Sequence, residues 1–189
     1  MRKINRLIFL YFLCFFKLLT NEIKNFEALV EEKNEKTIEY KLRVSFPSKL
    51  YKEILQPLNK KGEIYIYNNK KKIIFYPSIN YKLEEEIEED GFLKILKDII
   101  EFFEIKTQKS KMRRRNIILQ FKDKRLYLIK YPNNTKILLK NYVSRNNVYF
   151  PQEIEVLDKN KKIVFNIKEI NFNLNFEDKD FEVTKQNGT

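Results

Sequence analysis

The sequence predicts a mainly β fold with helices: a large curved antiparallel sheet, or incomplete β-barrel, wrapped on two or three helices. Three observations point there. Apolar and polar residues alternate over segment after segment, the period of a half-buried strand. Turn residues separate these segments by short intervals, which makes successive strands antiparallel neighbours. In 92–105 the period changes to the three- and four-residue spacing of a helix.

The chain opens on a targeting pattern. Arg2, Lys3 and Arg6 precede an unbroken apolar run, 7–16, which Lys17 interrupts. A basic stretch before about 7–15 apolar residues has the layout of a secretory signal. The run falls short of the roughly 20 apolar residues that cross a bilayer. Residues 1–20 are therefore read as a signal peptide or N-terminal anchor, and the protein is expected in the periplasm or cell envelope. No small-x-small cleavage site follows, and Thr20 is the best nearby residue before a cut. Cys14 offers lipidation as a third route, against which Phe12 and Leu13 stand where small residues are needed.

In 21–33, Ile23, Phe26, Leu29 and Val30 recur at helical spacing and predict an amphipathic helix. In 36–46, Ile38, Tyr40, Leu42, Val44 and Phe46 alternate with polar residues, and Pro47 ends that strand. A second strand over 50–55 is closed by Gln56 and Pro57. Strands over 63–67 and 72–77 form a hairpin around 68–71, where asparagines accept left-handed backbone angles. Residues 84–90 read as a solvated acidic loop, because no glycine-punctuated calcium loop accompanies the carboxylates. In the helix that follows, Phe92, Ile95, Leu96, Ile99, Phe102 and Phe103 share a face, widened by Leu93, Ile100 and Ile105. That face is broader than packing on one sheet requires. The basic cluster 109–115 reads as an exposed loop, or else as a contact for an anionic lipid or a partner. Strands are then expected over 116–122, 125–131, 135–142, 148–157 and 161–176. In the last, Ile163, Phe165 and Ile167 share one parity and Ile170, Phe172, Leu174 and Phe176 the other, so a β-bulge is expected near Lys168 and Glu169.

Length and composition narrow the function. The 189 residues suit one domain. The chain has no His, and its one Cys is Cys14, so a disulfide framework and a Cys or His metal site are excluded. No phosphate-binding glycine loop is present, and the serines lack a histidine to activate them. The protein is read as not an enzyme, with no cofactor and no metal. The net charge is +12, with 38 Lys and Arg against 26 Asp and Glu. Many lysines fall at polar strand positions or in turns. An exported chain without a nucleic-acid motif is not expected to bind nucleic acid.

What remains is apolar binding. One sheet face is expected to carry Ile38, Leu42, Val44, Phe46, Ile64, Ile66, Phe75, Ile117, Leu119, Phe121, Leu128, Ile154 and Val156. Such a face makes an ordinary core, or lines a ligand cavity where a curved sheet encloses space.

A resemblance sharpens this. The strand ending in Phe46 and Pro47 is followed by Ser48-Lys49-Leu50-Tyr51-Lys52-Glu53. Next come Gly62-Glu63-Ile64-Tyr65-Ile66-Tyr67 and Lys72-Ile73-Ile74-Phe75-Tyr76-Pro77. This order resembles the early hairpin of LolA-like outer-membrane lipoprotein carriers. Phe150-Pro151-Gln152-Glu153-Ile154-Glu155-Val156, then 167–175 and Asp178-Lys179-Asp180-Phe181, is similar to that family's C-terminal end. Asn68 and Asn69 replace the family's usual Asp-Gly turn, and Phe75 stands where Trp is common. The resemblance implies that 21–189 is a single lipid-binding domain, an incomplete barrel with helices over its opening. It implies a periplasmic carrier or chaperone for acyl chains of lipoproteins or lipids, sorting them to the outer membrane. Its partners would be an acylated lipoprotein or lipid, an inner-membrane release complex and an outer-membrane acceptor. Related branches bind lipids or protein partners, which leaves an envelope structural or interaction module with a closed core as the alternative. On the carrier reading, Leu42, Val44, Phe46, Ile64, Ile66, Phe75, Ile117, Leu119 and Phe121 line the cavity. Ile95, Ile99, Phe102 and Phe103 then belong to a helical lid that moves to admit acyl chains.

Overall fold

A computed structural model describes residues 23–183 except 69, 88–90, 104, 106, 146–147 and 160. The basic and apolar segment 1–20 lies outside the described residues. So do Asn69 of the hairpin turn and the end of the acidic run, 88–90.

Twelve strands form one antiparallel sheet among the described residues. The first half is β1 (Asn25–Lys33), β2 (Thr37–Ser45), β3 (Lys49–Gln56), β4 (Ile64–Asn68), β5 (Lys71–Tyr76) and β6 (Tyr81–Glu86). The second half is β7 (Lys111–Arg114), β8 (Ile117–Lys122), β9 (Arg125–Lys130), β10 (Lys136–Arg145), β11 (Val148–Asp158) and β12 (Lys161–Phe172). Each half is a meander, and β1 pairs with β12 in the middle, so β6 and β7 are the two edges. The sheet is unclosed. A helix, α1 (Gly91–Phe103), lies on the chain between the two edges. The described residues hold this one α-helix, where two or three were expected.

The expected helix over 21–33 is the strand β1. Phe26, Ala28 and Val30 are buried at a period of two, and Leu29 points away with Glu27 and Glu31. Leu29 and Val30 are adjacent apolar residues, and together they mimic helical spacing. Pairing on both sides, with β2 and β12, overrides the local pattern. Two further strands replace expected loops. Glu84, Glu85 and Glu86 belong to β6, where Lys72 of β5 reaches Glu85 at 3.0 Å. Lys111–Arg114 form β7, joined to β8 through Arg115 and Asn116 at φ 47° and 65°. Positive φ at both turn residues suits the twist of a tight hairpin. Asp123 and Lys124, at φ 51° and 61°, make the next turn in the same way.

The expected bulge is present. Leu29 pairs with Glu169, and Val30 with Ile167, so Lys168 is the extra residue. The phase slip keeps Phe165, Ile167, Ile170 and Phe172 all buried in the main core.

The core lies between α1 and one face of the sheet, here the inner face. Leu93, Leu96, Ile99 and Phe102 of α1 are buried with Tyr40, Leu42 and Val44 from one half and Leu119, Ile129 and Ile137 from the other. One helix of 13 residues, about 20 Å long, touches both halves of a 12-stranded sheet. Strands spaced about 4.8 Å apart reach it from both sides only if the sheet curves.

The outer face is polar and paired. Arg43 reaches Glu27 at 2.8 Å and Lys41 reaches it at 3.1 Å. Burial opposes the charge on Glu27, but the two cations prevail and hold its carboxyl below the ordinary range. Glu155, 5% exposed, accepts from Lys140 and from Lys162, and these bonds hold it low against the cost of burial. A second, smaller cluster joins Tyr51 and Ile66 to Phe181, with Ile64, Ile73, Phe176 and Val183 packed around them. The C-terminal segment is strapped there. Lys49 meets Asp178 at 2.6 Å, and Arg43 donates to the Asp180 carbonyl at 3.3 Å. Burial, with Glu53 nearby, pushes the Tyr51 phenol up to about 12.

Candidate functional site

The first turn of α1 overhangs a cleft of about 330 Å³. Its apolar walls are Leu50 of β3, Phe92 and Ile95 of α1, Val156 of β11, and Ile163 and Phe165 of β12. Glu32, Lys52, Tyr67 and Gly91 complete the lining. Both halves of the sheet and the helix thus contribute. The walls follow from strand parity. Leu50 pairs with Tyr67 and Glu32 with Phe165, so these side chains share the inner face.

The two ends of α1 are held differently. Near its C-terminal end, the Tyr131 hydroxyl donates to Asp98 at 2.5 Å. Burial and this bond raise the Tyr131 phenol above its ordinary range. Arg114 and Arg115 meet Glu101 at 3.2 and 3.6 Å. Phe103 packs edge-on against Tyr142 and Phe150, with ring centroids 5.9 and 5.7 Å away. At the N-terminal end, Phe92 stacks on Phe165 at 4.5 Å, directly over the cleft.

Gly91 is a handle on that first turn. A Cβ built there meets nothing within 4 Å, and its φ is not in the left-handed region. Gly91→Ala is therefore expected to stabilise the protein by about 0.4–1 kcal/mol, chiefly by restricting the unfolded chain. A urea melt checks this. A loss of stability would mean that the turn entering α1 needs glycine.

The residues expected on one face occupy two. Leu42 and Val44 are buried under α1, and Phe46 is half-buried against the same core. Leu119 and Phe121 are buried there too, with Ile117 at its margin. Ile64 and Ile66 lie on the outer face, in the cluster with Tyr51 and Phe181. Phe75 pairs with Ile64 and shares that side. In β4 the inner positions belong to Tyr65 and Tyr67. On α1, Ile99 and Phe102 are buried, while Ile95 and Phe103 are half-buried. Of the residues expected to line the cavity or form the lid, only Ile95 borders the cleft, joined there by Val156 from the wider set expected on the apolar face.

Two charged residues of the cleft are absent from the sequence-based expectations. Lys52 shares parity with Leu50 and Ile54, a lysine in an apolar row of β3. Glu32 continues the row of Phe26, Ala28 and Val30. The signal for Lys52 was a polar residue in phase with buried neighbours. The signal for Glu32 was masked by the helical spacing of its segment.

Known proteins share this architecture. A domain provisionally assigned to outer-membrane lipoprotein sorting, from Vibrio parahaemolyticus, superposes with a TM-score of 0.56 at 11% identity, covering 83% of this chain and 88% of that one. A LolA superfamily protein from Nitrosomonas europaea gives 0.53 at 8% identity, covering 86% and 91%. The fold is LolA-like. A DUF1329 family protein from Desulfovibrio piger has it as well, with a TM-score of 0.56 at 8% identity over 86% of this chain and 91% of its own. No protein-family model matches the sequence, and no curated protein matches it. The LolA-like likeness is one of backbone architecture, and function has to be argued from the site. Among the described residues no group of carboxylates, Cys or His is arranged to hold a metal ion, and no helix is long and apolar enough to cross a membrane.

Proposed function

We propose that this LolA-like protein is a periplasmic carrier or chaperone. It binds acyl chains of lipoproteins or lipids between α1 and the sheet and helps sort them to the outer membrane. The observation that carries this reading is the cleft under the first turn of α1, apolar on most of its walls and partly open to solvent. An acyl chain enters there, α1 swings from its firmly held C-terminal end, and the chain takes over contacts now made by Phe92 and Ile95. Empty, the helix keeps the inner face covered, which avoids a large exposed apolar patch. Nothing in this scheme requires catalysis.

A second reading is an envelope interaction module with a closed core. Complete burial of Val44, Leu119 and Ile99 favours it, because those contacts need no ligand.

Titration with a fluorescent fatty acyl probe, alongside native mass spectrometry of gently purified protein, separates the two. The carrier is expected to bind the probe and to retain lipid or acylated peptide. Ile163→Trp, which fills the cleft, is expected to weaken probe binding about tenfold or more, equivalent to roughly 1.4 kcal/mol, with circular dichroism unchanged. A protein that is always lipid-free and does not take up the probe is the closed module.

A further inference from the structure

The cleft is apolar except at one place, where it holds a complete ion pair. Lys52 Nζ meets Glu32 Oε2 at 3.1 Å, and each side chain is 21% exposed. Lys52 also sits over the Tyr40 ring, 3.8 Å from its centroid. Tyr40 is fully buried, so the ring is a fixed platform and the ammonium is held in place. Across the strands Lys52 is flanked by Leu42 and Tyr65, and Glu32 by Ile38 and Phe165. This is a positioned pair of opposite charges among apolar neighbours.

Such a pair constrains what can lie beside it. An anionic group that takes Lys52 leaves the Glu32 carboxylate uncompensated in poorly solvated surroundings, which is costly. A cationic group strands Lys52 in the same way. A neutral group leaves the pair intact but gains no charged contact from it. A group carrying both charges, arranged head to tail, leaves every charge paired. The Lys52 ammonium has three donors, of which Glu32 takes one, so it can still donate to an anion. The volume sets a second limit. About 330 Å³ is at the small end of ligand sites, and suits one acyl chain better than two.

We propose that the cleft selects single-chain amphiphiles with a zwitterionic amino-phosphate headgroup, the phosphate on Lys52 and the ammonium on Glu32. This rests on the acyl-binding reading above and adds a ligand class to it. The chain lies along Leu50, Phe92, Ile163 and Phe165, and the headgroup stays at the ion pair.

The test uses the full chain and four defined lipids with 14-carbon chains. They are lysophosphatidylethanolamine, lysophosphatidylglycerol, a monoacylglycerol and diacyl phosphatidylethanolamine. Affinities come from displacement of the fluorescent acyl probe below micelle-forming concentrations. The lysophosphatidylethanolamine is expected to bind at least tenfold tighter than each of the others. Glu32→Gln leaves Lys52 without its partner, and is expected to turn the preference toward the anionic lysophosphatidylglycerol. Lys52→Met keeps the apolar stem over Tyr40 and is expected to abolish the preference between headgroups. Comparable affinities for all the single-chain lipids in the unmodified protein would overturn the headgroup assignment and leave acyl binding standing. Equal binding of the diacyl lipid would overturn the single-chain limit. Failure of every lipid and of the probe would overturn the acyl-binding reading itself. The comparison across lipids needs no variant, so a variant that fails to fold does not blunt it.

Discussion

Deletion of Asn171 is expected to destabilise the protein by several kcal/mol, whereas deletion of Lys168 is expected to leave it folded with a cooperative melt. The contrast separates the bulge from the regular part of the ladder. Leu29 faces Glu169 and Val30 faces Ile167, so Lys168 is the residue left over. Without it Ile167 and Glu169 become neighbours, Phe165, Ile167, Ile170 and Phe172 alternate regularly on the inner face, and every pairing with β1 is kept. The Lys168 side chain pairs with Glu39 and, at 3.6 Å, with Glu31, and is 40% exposed. Exposed pairs of this kind contribute little. Asn171 is different, because it faces Glu27 where the pairing is regular. Its removal moves one side of β12 by one residue, and in a strand that reverses side chains. Either Phe172 turns outward, or the strand straightens through Lys168 so that Ile170 turns outward and Glu169 turns into the core. Phe172 and Ile170 are now 5% and 3% exposed. A large apolar side chain returned to water costs about 1.5–3 kcal/mol, and an unpaired buried carboxylate costs several more. That is a large share of the about 5–15 kcal/mol that holds a domain folded. Circular dichroism and a urea melt of the two variants are the measurement. A Lys168 deletion that loses its cooperative transition, with an Asn171 deletion that melts near the parent midpoint, would mean that Lys168 is not the bulged residue of β12.

This bulge was legible in the sequence because it is a break in parity within one strand. The strands β2, β8 and β9, the hairpin β4–β5 and the helix α1 were legible for the same kind of reason, since local period and turn residues agree there. Three elements were not. In β1 the adjacent Leu29 and Val30 imitate helical spacing, and only pairing with β2 and β12 resolves the ambiguity. The edge strands β6 and β7 are made of glutamates and of Lys and Arg, compositions that read as solvated loops. Charge is how an edge strand avoids pairing with another chain, so edges lose the apolar signal that central strands keep.

The site was less legible than the fold. Ile64-Tyr65-Ile66-Tyr67 and Lys72-Ile73-Ile74-Phe75-Tyr76 have apolar or aromatic residues at both parities, so period alone cannot say which face is inner. Pairing of Leu50 with Tyr67 decides it, and pairing is long-range information. The tyrosines take the inner face, and the isoleucines meet Phe181 from a segment more than 110 residues later in the chain. Glu32 and Lys52 were hard to see for a related reason. A lysine in an apolar row of β3 and a glutamate in a segment with helical spacing do not by themselves point to a cleft, which exists only where β1, β3, β4, β11, β12 and α1 converge.

Phe150→Ala is expected to destabilise the protein by about 3–5 kcal/mol, the usual cost of removing a large aromatic side chain from a packed core. At this chain length that lowers the thermal midpoint by about 10 °C. Phe150 is 1% exposed. Its ring lies 6.0 Å from Phe26, 5.6 Å from Phe172 and 5.7 Å from Phe103. It therefore joins β1, β11, β12 and the last turn of α1, and the cavity left behind has walls from all four. Tyr149, its neighbour on the opposite face, is 54% exposed and makes one contact of note, with the Arg125 guanidinium 4.9 Å from its ring centroid. Tyr149→Ala is expected to cost no more than about 1 kcal/mol. Phe103→Ala combined with Phe150→Ala should show a coupling of about 0.5–1.5 kcal/mol, the share of the edge-on ring pair. That coupling measures how firmly the C-terminal end of α1 is held, and a helix that opens from its N-terminal end needs this one fixed. Native-state hydrogen exchange should then rank the two ends, with amides of 99–103 more protected than those near Phe92. Equal costs for Phe150→Ala and Tyr149→Ala, or greater protection near Phe92, would mean that the helix is anchored elsewhere and does not pivot as proposed.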